Sequence, residues 1–192
     1  MLLTGTLLMQ WRNSARRYGL FSILLHWGVA LAVFGLFGLG LWMVGLDYYS
    51  SWYRRAPDLH KGIGILLFLA MLLRLLWRFA SPPPPALANY SAMTRRGAAL
   101  MHGLLYLGLF ALMFSGYLIS TADGRAIEVF GWFSVPATLS GLEGQEDIAG
   151  VVHLWLAWGL IGLAVLHALA ALKHHFIDRD ATLSRMLGRE RD

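Results

Sequence analysis

The sequence predicts an all-α membrane protein, a four-transmembrane-helix bundle forming a single membrane domain over 1–192. Three observations carry that expectation. Hydrophobic residues make up 57% of the chain and charged residues only 14%, against roughly 25% charged in a soluble domain, so a water-exposed globule is excluded. Four apolar runs approach or exceed the ~20 residues that a bilayer-spanning helix needs. Basic residues segregate to one side of those runs, as they do in cytoplasmic loops.

The first span, about 18–46, holds no charged residue from Tyr18 to Leu46. Arg16 and Arg17 precede it as in a secretory signal, but the run far exceeds the ~7–15 residues of a signal core, so an uncleaved first span is expected. The apolar stretch Met1 to Met9 is short and suggests no function. The second span, about 59–79, contains Lys61, Arg74 and Arg78; Lys61 and Arg78 lie near its ends and can snorkel to headgroups. Pro82 to Pro85 end it, since four prolines continue only as stiff polyproline. The third span, about 97–122, is uncharged, and so is the fourth, about 148–175, up to Leu172. The longest connection runs from Thr121 to Asp147, and its segment Ile127 to Pro136, with Phe130, Trp132 and Phe133, suits the membrane interface. The charged tail, 176–192, is expected to lie along the cytoplasmic surface.

One side of the bundle carries Arg12, Arg16, Arg17, Arg78, Arg95, Arg96, Lys173, Arg179, Arg185, Arg189 and Arg191. The other has only Arg54, Arg55, Lys61 and Arg125, with Asp47, Asp58, Asp123, Glu128, Glu143, Glu146 and Asp147. Both termini of this multi-pass chain are therefore expected in the cytoplasm, with the acidic loops facing outward. The basic residues are accounted for by topology, and no nucleic-acid partner is expected.

The chain has no cysteine, which excludes disulfides, cysteine-held iron–sulfur clusters, thiolate zinc and haem attached through C-x-x-C-H. A metal or haem must be held by histidine, methionine or oxygen. His153 and His167 stand fourteen residues apart in the fourth span, nearly four turns, so they share a face about 21 Å apart along the axis. Each needs a partner in its own layer. On the outer side only His60 is available for His153. On the inner side His26 matches the depth of His167 well, and His102 competes with it. Paired histidines with no acid inside the spans suit haem b rather than zinc, which usually takes four ligands. Gly159 and Gly162 lie between the two ligand positions; they would let a macrocycle approach the backbone or serve close helix packing. Arg74, a turn inside Arg78, suits either a haem propionate or snorkelling.

The motifs LLHW with His26, LHKGIG with His60, RLLWRFASPPPP, HLWLAWGLIGLAVLHALAALKHHF with His153, His167 and His174, and IDRD together resemble the bacterial di-haem cytochrome b-561 family from about Tyr18 to Leu187. The resemblance implies a bundle holding two haem b groups, ligated by His26 with His167 on the cytoplasmic side and by His60 with His153 on the outer side. It also implies electron transfer from superoxide to ubiquinone, as in a superoxide oxidase. The other implied role is a haem subunit passing electrons between a redox partner protein, a dehydrogenase or hydrogenase, and the quinone pool. His174, seven residues past His167, returns to nearly the same helix face and is the candidate quinone residue; Lys173 and His175 are its neighbours. Arg54, Arg55 and Lys61 cluster near His60 and are the candidate residues for drawing superoxide to the outer haem. Membrane lipid is the remaining partner.

Overall fold

The computed structural model describes residues 10–189; the apolar stretch Met1 to Met9 lies outside them. Among the described residues, four helices are long and apolar enough to cross a membrane: α1 (Leu20–Met43), α2 (Arg55–Ala80), α3 (Ala92–Thr121) and α4 (Gln145–Phe176). A short hairpin, β1 (Ile127–Val129) with β2 (Phe133–Val135), separates α3 from α4, and α5 (Thr182–Met186) follows α4. At 32 residues α4 rises about 48 Å, more than the ~30 Å hydrocarbon core, so its ends stand among the headgroups.

The helices extend beyond the uncharged runs because polar residues make good helix starts. Asp58 lies in the first turn of α2, and Glu146 and Asp147 in that of α4, where acids favour the dipole. Ser91 caps α3 by accepting from the Thr94 amide at 3.0 Å.

Packing groups the helices into two hairpins, α1 with α2 and α3 with α4. They meet at mid-height through buried Val29, Leu67, Met71, Leu109 and Leu160. Large side chains such as Leu31, Leu76, Leu107 and Trp155 point outward; on a membrane bundle they face lipid, which needs no polar cover.

The segment Ile127 to Pro136 forms a β-hairpin that docks on α2. Ile127 pairs with Val135 and Val129 with Phe133, so Ile127 and Val129 turn inward and are buried. Phe130, in a left-handed turn at φ 53, lays its ring on Gly62, where a Cβ would come within 2.8 Å.

The opposite end is closed by both terminal segments. Asn13 is a hub: its amide donates to Ser81 Oγ at 2.9 Å, its Nδ2 to the Ser81 carbonyl at 2.7 Å, and its Oδ1 accepts from the Gly19 amide at 2.9 Å. Arg12 donates to the Ala80 carbonyl. A Cβ at Gly19 would stand 2.4 Å from the Arg12 backbone. Gly19→Ala is therefore expected to spring this strap and cost about 1–3 kcal/mol, read as a lower unfolding midpoint in detergent; an unchanged midpoint would count against a closed strap. The tail, described to residue 189, folds back beneath the bundle, with Arg185 donating to the Pro85 carbonyl at 3.0 Å and Trp27 Nε1 to that of Met186 at 3.2 Å.

Candidate functional site

The histidines form two layers across the seam between the helix hairpins. At the β-hairpin end His60 of α2 faces His153 of α4, with ring centroids 6.2 Å apart and an interplanar angle of 69°. At the tail end His26 of α1 faces His167 of α4 at 6.3 Å and 70°. Two metal–imidazole bonds of about 2 Å each, with the ring radii, place axial rings about 6 Å apart, so each pair fits one haem iron. His102 lies in the tail-end layer too, but its ring is 5.3 Å from that of His167, about an ångström too close for a shared iron. Depth along the helices favours His26 with His102 as competitor, and the ring separation fits His26 better.

Helix α3 supplies a cradle for His153 that sequence reasoning missed. His153 Nδ1 lies 3.0 Å from both the Leu112 carbonyl and Ser115 Oγ, and Ser115 itself donates to that carbonyl at 2.8 Å. A carbonyl only accepts, so the ring proton sits on Nδ1 and the Nε2 lone pair is left for a metal. At Gly116 a Cβ would stand 3.0 Å from His153 Cε1, and at Gly40 one would stand 3.3 Å from His60 Cε1. The small pair Ser115–Gly116, at the depth of His153 in a bulky span, was the available signal. His60 Nδ1 is buried without a hydrogen-bond partner among the described residues.

At the tail end Arg74 Nη2 lies 3.1 Å from His26 Nδ1 and its guanidinium 5.6 Å from the centre of the Tyr106 ring. Arginine only donates, so in this arrangement the His26 proton is on Nε2. Iron ligation at Nε2 requires Arg74 to release Nδ1 for another acceptor, and a haem propionate is one. Arg74 here points toward His26 and Tyr106. A Cβ at Gly159 or Gly162 would meet nothing within 4 Å, so neither glycine serves close helix packing.

His174 belongs to a cluster built by the tail. Its Nδ1 lies 2.8 Å from Asp178 Oδ2 and 3.2 Å from Asp180 Oδ2. Tyr90, just past the proline run, donates to Asp180 at 2.6 Å and lays its ring 5.1 Å from that of His174. Burial pushes the Asp180 carboxyl up, but hydrogen bonds from Tyr90 and Thr182 outweigh it and hold it below the usual range. The Tyr90 phenol is pushed up to about 12 by burial and by its bond to Asp180. Lys173 pairs with Asp178 at 2.7 Å, whereas His175 turns to Phe176, with ring centroids 4.8 Å apart. Asp178 lies one helical turn past His174, whereas no helix periodicity links Tyr90 and Asp180 to it.

At the β-hairpin end a cavity of about 710 Å³ is lined by Trp52, Arg55, Asp58, Leu59, Lys61, Ser120, Asp123, Arg125, Ala126, Glu128, Phe130 and Gly131. Leu59 and Lys61 flank His60 in the chain. The cation cluster expected here is partly neutralised: Lys61 pairs with Asp58 at 2.9 Å and Arg125 with Asp123 at 2.5 Å. Arg54 lines a neighbouring cavity of about 340 Å³, which Arg55 shares. Arg55, in the first turn of α2, has no ion pair to an acid among the described residues.

A four-helix membrane bundle with histidine pairs set across its seam defines a haem-binding membrane cytochrome. The chain belongs to the prokaryotic cytochrome b561 family, whose model matches residues 17–189. It is accordingly a multi-pass membrane protein of haem b electron transfer. It is 57% identical over 181 residues to "Cytochrome b561 homolog 2" of Escherichia coli (strain K12), covering 94% of this chain and 96% of that protein. It is 30% identical over 177 residues to "Probable superoxide oxidase CybB" of Yersinia pestis, covering 92% and 98%. Identity is 29% over 178 residues to "Cytochrome b561 homolog 1" of Escherichia coli (strain K12), covering 91% and 99%.

Proposed function

We propose that the chain holds two haem b groups, one between His60 and His153 and one between His26 and His167, and oxidises superoxide at the outer face while reducing ubiquinone near the cytoplasmic end. The observation that carries this is the pair of equal histidine separations, 6.2 and 6.3 Å, at opposite ends of one bundle. Haem b, when bound, supplies a one-electron Fe(III)/Fe(II) couple. The overall reaction balances as two superoxide ions, one quinone and two protons giving two dioxygen molecules and one quinol. The similarity to a relative named as a probable superoxide oxidase supports the donor. The excess of basic residues at the tail end supports cytoplasmic termini in a bacterial inner membrane.

The chain's own residues have limited tasks in this scheme. The histidines hold iron, Arg74 meets a propionate, and Arg55 with Lys61 and the neighbouring Arg54 draws an anion into the outer cavity. Superoxide needs no general acid to lose an electron, only attraction and access. His174 offers a hydrogen bond to a quinone carbonyl.

Stopped-flow mixing of superoxide with the oxidised protein tests the donor. Haem reduction is expected to slow as salt rises, because charges closer than the ~8 Å Debye length at physiological salt act most strongly on the anion. Lys61→Glu, which also leaves Asp58 beside a second acid, is expected to slow it at least several-fold with both haems bound. Arg55→Glu should do the same. Rates indifferent to salt and to both substitutions would move the function to an electron-transfer subunit serving a protein partner.

A further inference from the structure

We propose that Asp180, Asp178 and Tyr90 form with His174 a proton-delivery site, in which the folded-back tail loads and orients His174 to protonate the bound quinone. This rests on the quinone assignment above. Reduction of a quinone to a quinol consumes two protons, which must reach the cytoplasmic end of the bundle from water.

The cluster is graded from water inward. Side-chain exposure falls from 32% at Asp178 to 20% at His174 and 5% at Asp180. Asp178 is the water-side member, held by Lys173 at 2.7 Å. Asp180 is the buried member and is held on every side. Its Oδ2 accepts from Tyr90 at 2.6 Å, its Oδ1 from the Thr182 amide at 2.8 Å, and its own amide donates to the His174 carbonyl at 3.0 Å. The chain returns to the helix it has just left through Arg179, a non-glycine residue at φ 54, a conformation L-residues seldom adopt without a compensating contact. The contact it secures is Asp180 against His174.

His174 Nδ1 stands between two carboxylate oxygens, 2.8 and 3.2 Å away, yet in line for a hydrogen bond with neither. A proton there is shared, and alignment tightens when a ligand fixes the ring. The Tyr90 ring, inclined 33° to the imidazole, fixes its plane. Nε2 is then the nitrogen left for the quinone. His174 protonated on both nitrogens breaks its Nε2–H bond as the quinol O–H bond forms and keeps Nδ1–H shared with Asp178 and Asp180, whose charges favour the return of a proton from water to Nε2 once the quinol has left. The cycle runs twice per quinol, with one electron from each of two superoxide ions. His174, Asp178 and Asp180 also place three ligand atoms within 4.8 Å of one another. Lys173 and Tyr90 already occupy the two carboxylates, an arrangement for a held proton rather than a divalent cation.

The test uses the haem-loaded protein, reduced with dithionite and reoxidised by a short-chain ubiquinone or by ferricyanide, which takes an electron without a proton. Asp180→Asn is expected to slow quinone reoxidation at least tenfold and to change its solvent deuterium isotope effect. Ferricyanide reoxidation and both haem spectra should stay as in the native protein. Tyr90→Phe, which removes one hydroxyl, should slow the quinone reaction less. If His174→Ala slows the quinone reaction while Asp180→Asn and Tyr90→Phe do not, the relay is wrong and the quinone site stands. If His174→Ala has no effect, the quinone assignment itself is wrong. Loss of quinone reoxidation on chelation, restored by a divalent cation, would overturn the relay in favour of a metal.

Discussion

His153→Ala is expected to reduce haem content from two groups per chain to one, sparing the group at the tail end, and His60→Ala should do the same. His26→Ala and His167→Ala should remove the tail-end group and spare the other, while His102→Ala keeps both. Removing one axial imidazole costs an iron–nitrogen bond and leaves a polar gap in a low-dielectric bundle, so the affected site should empty rather than weaken slightly. The measurement is haem stoichiometry per chain with a redox titration to show which component is gone. Loss of a haem in His102→Ala but not in His26→Ala would reverse the tail-end pairing, whatever the 5.3 Å ring separation of His102 and His167 suggests.

The second large effect is expected at Gly116. An added methyl would stand 3.0 Å from His153 Cε1 and 3.3 Å from Nδ1, a gap the ring closes only by leaving the Leu112 carbonyl and Ser115. Gly116→Ala should cost about 1–3 kcal/mol by overpacking and shift the midpoint potential of the β-hairpin-end haem. Gly116→Leu should empty that site. Ser115→Ala should do less, because the Leu112 carbonyl still accepts the Nδ1 proton. Redox titration of each variant separates the two haems; equal potentials in native protein and Gly116→Ala would show that the ring is not pressed against α3.

The contrast between His153 and its cradle shows what a sequence can give. Depth within a span is one-dimensional and follows from counting, which is why His60 and His153, or His26 and His167, could be matched before any coordinates. Counting favoured His26 over His102 without excluding it, because azimuth and helix spacing decide how near each ring comes. Ser115 and Gly116 look like ordinary small residues of a span until α4 is placed against α3. Charge composition set the tail along the cytoplasmic surface but gave no sign of its contacts, because Asp180 is held by Tyr90 and Thr182, ninety and two residues away. Lys61 was likewise visible as a cation, while its pairing with Asp58 depends on a helix beginning at Arg55 rather than near residue 59.

The division into two helix hairpins bears on biogenesis. Each hairpin, α1 with α2 and α3 with α4, can enter the bilayer as a unit, and its own packing does not require the other. Every proposed ligand pair takes one histidine from each side of the seam, so loading must come after both hairpins have inserted and met. Between insertion and loading the chain relies on the thin mid-height contact of Val29, Leu67, Met71, Leu109 and Leu160. Cells starved of haem should therefore accumulate an inserted but splayed form, open to membrane proteases at the seam, and cofactor supply would set how much of the protein survives.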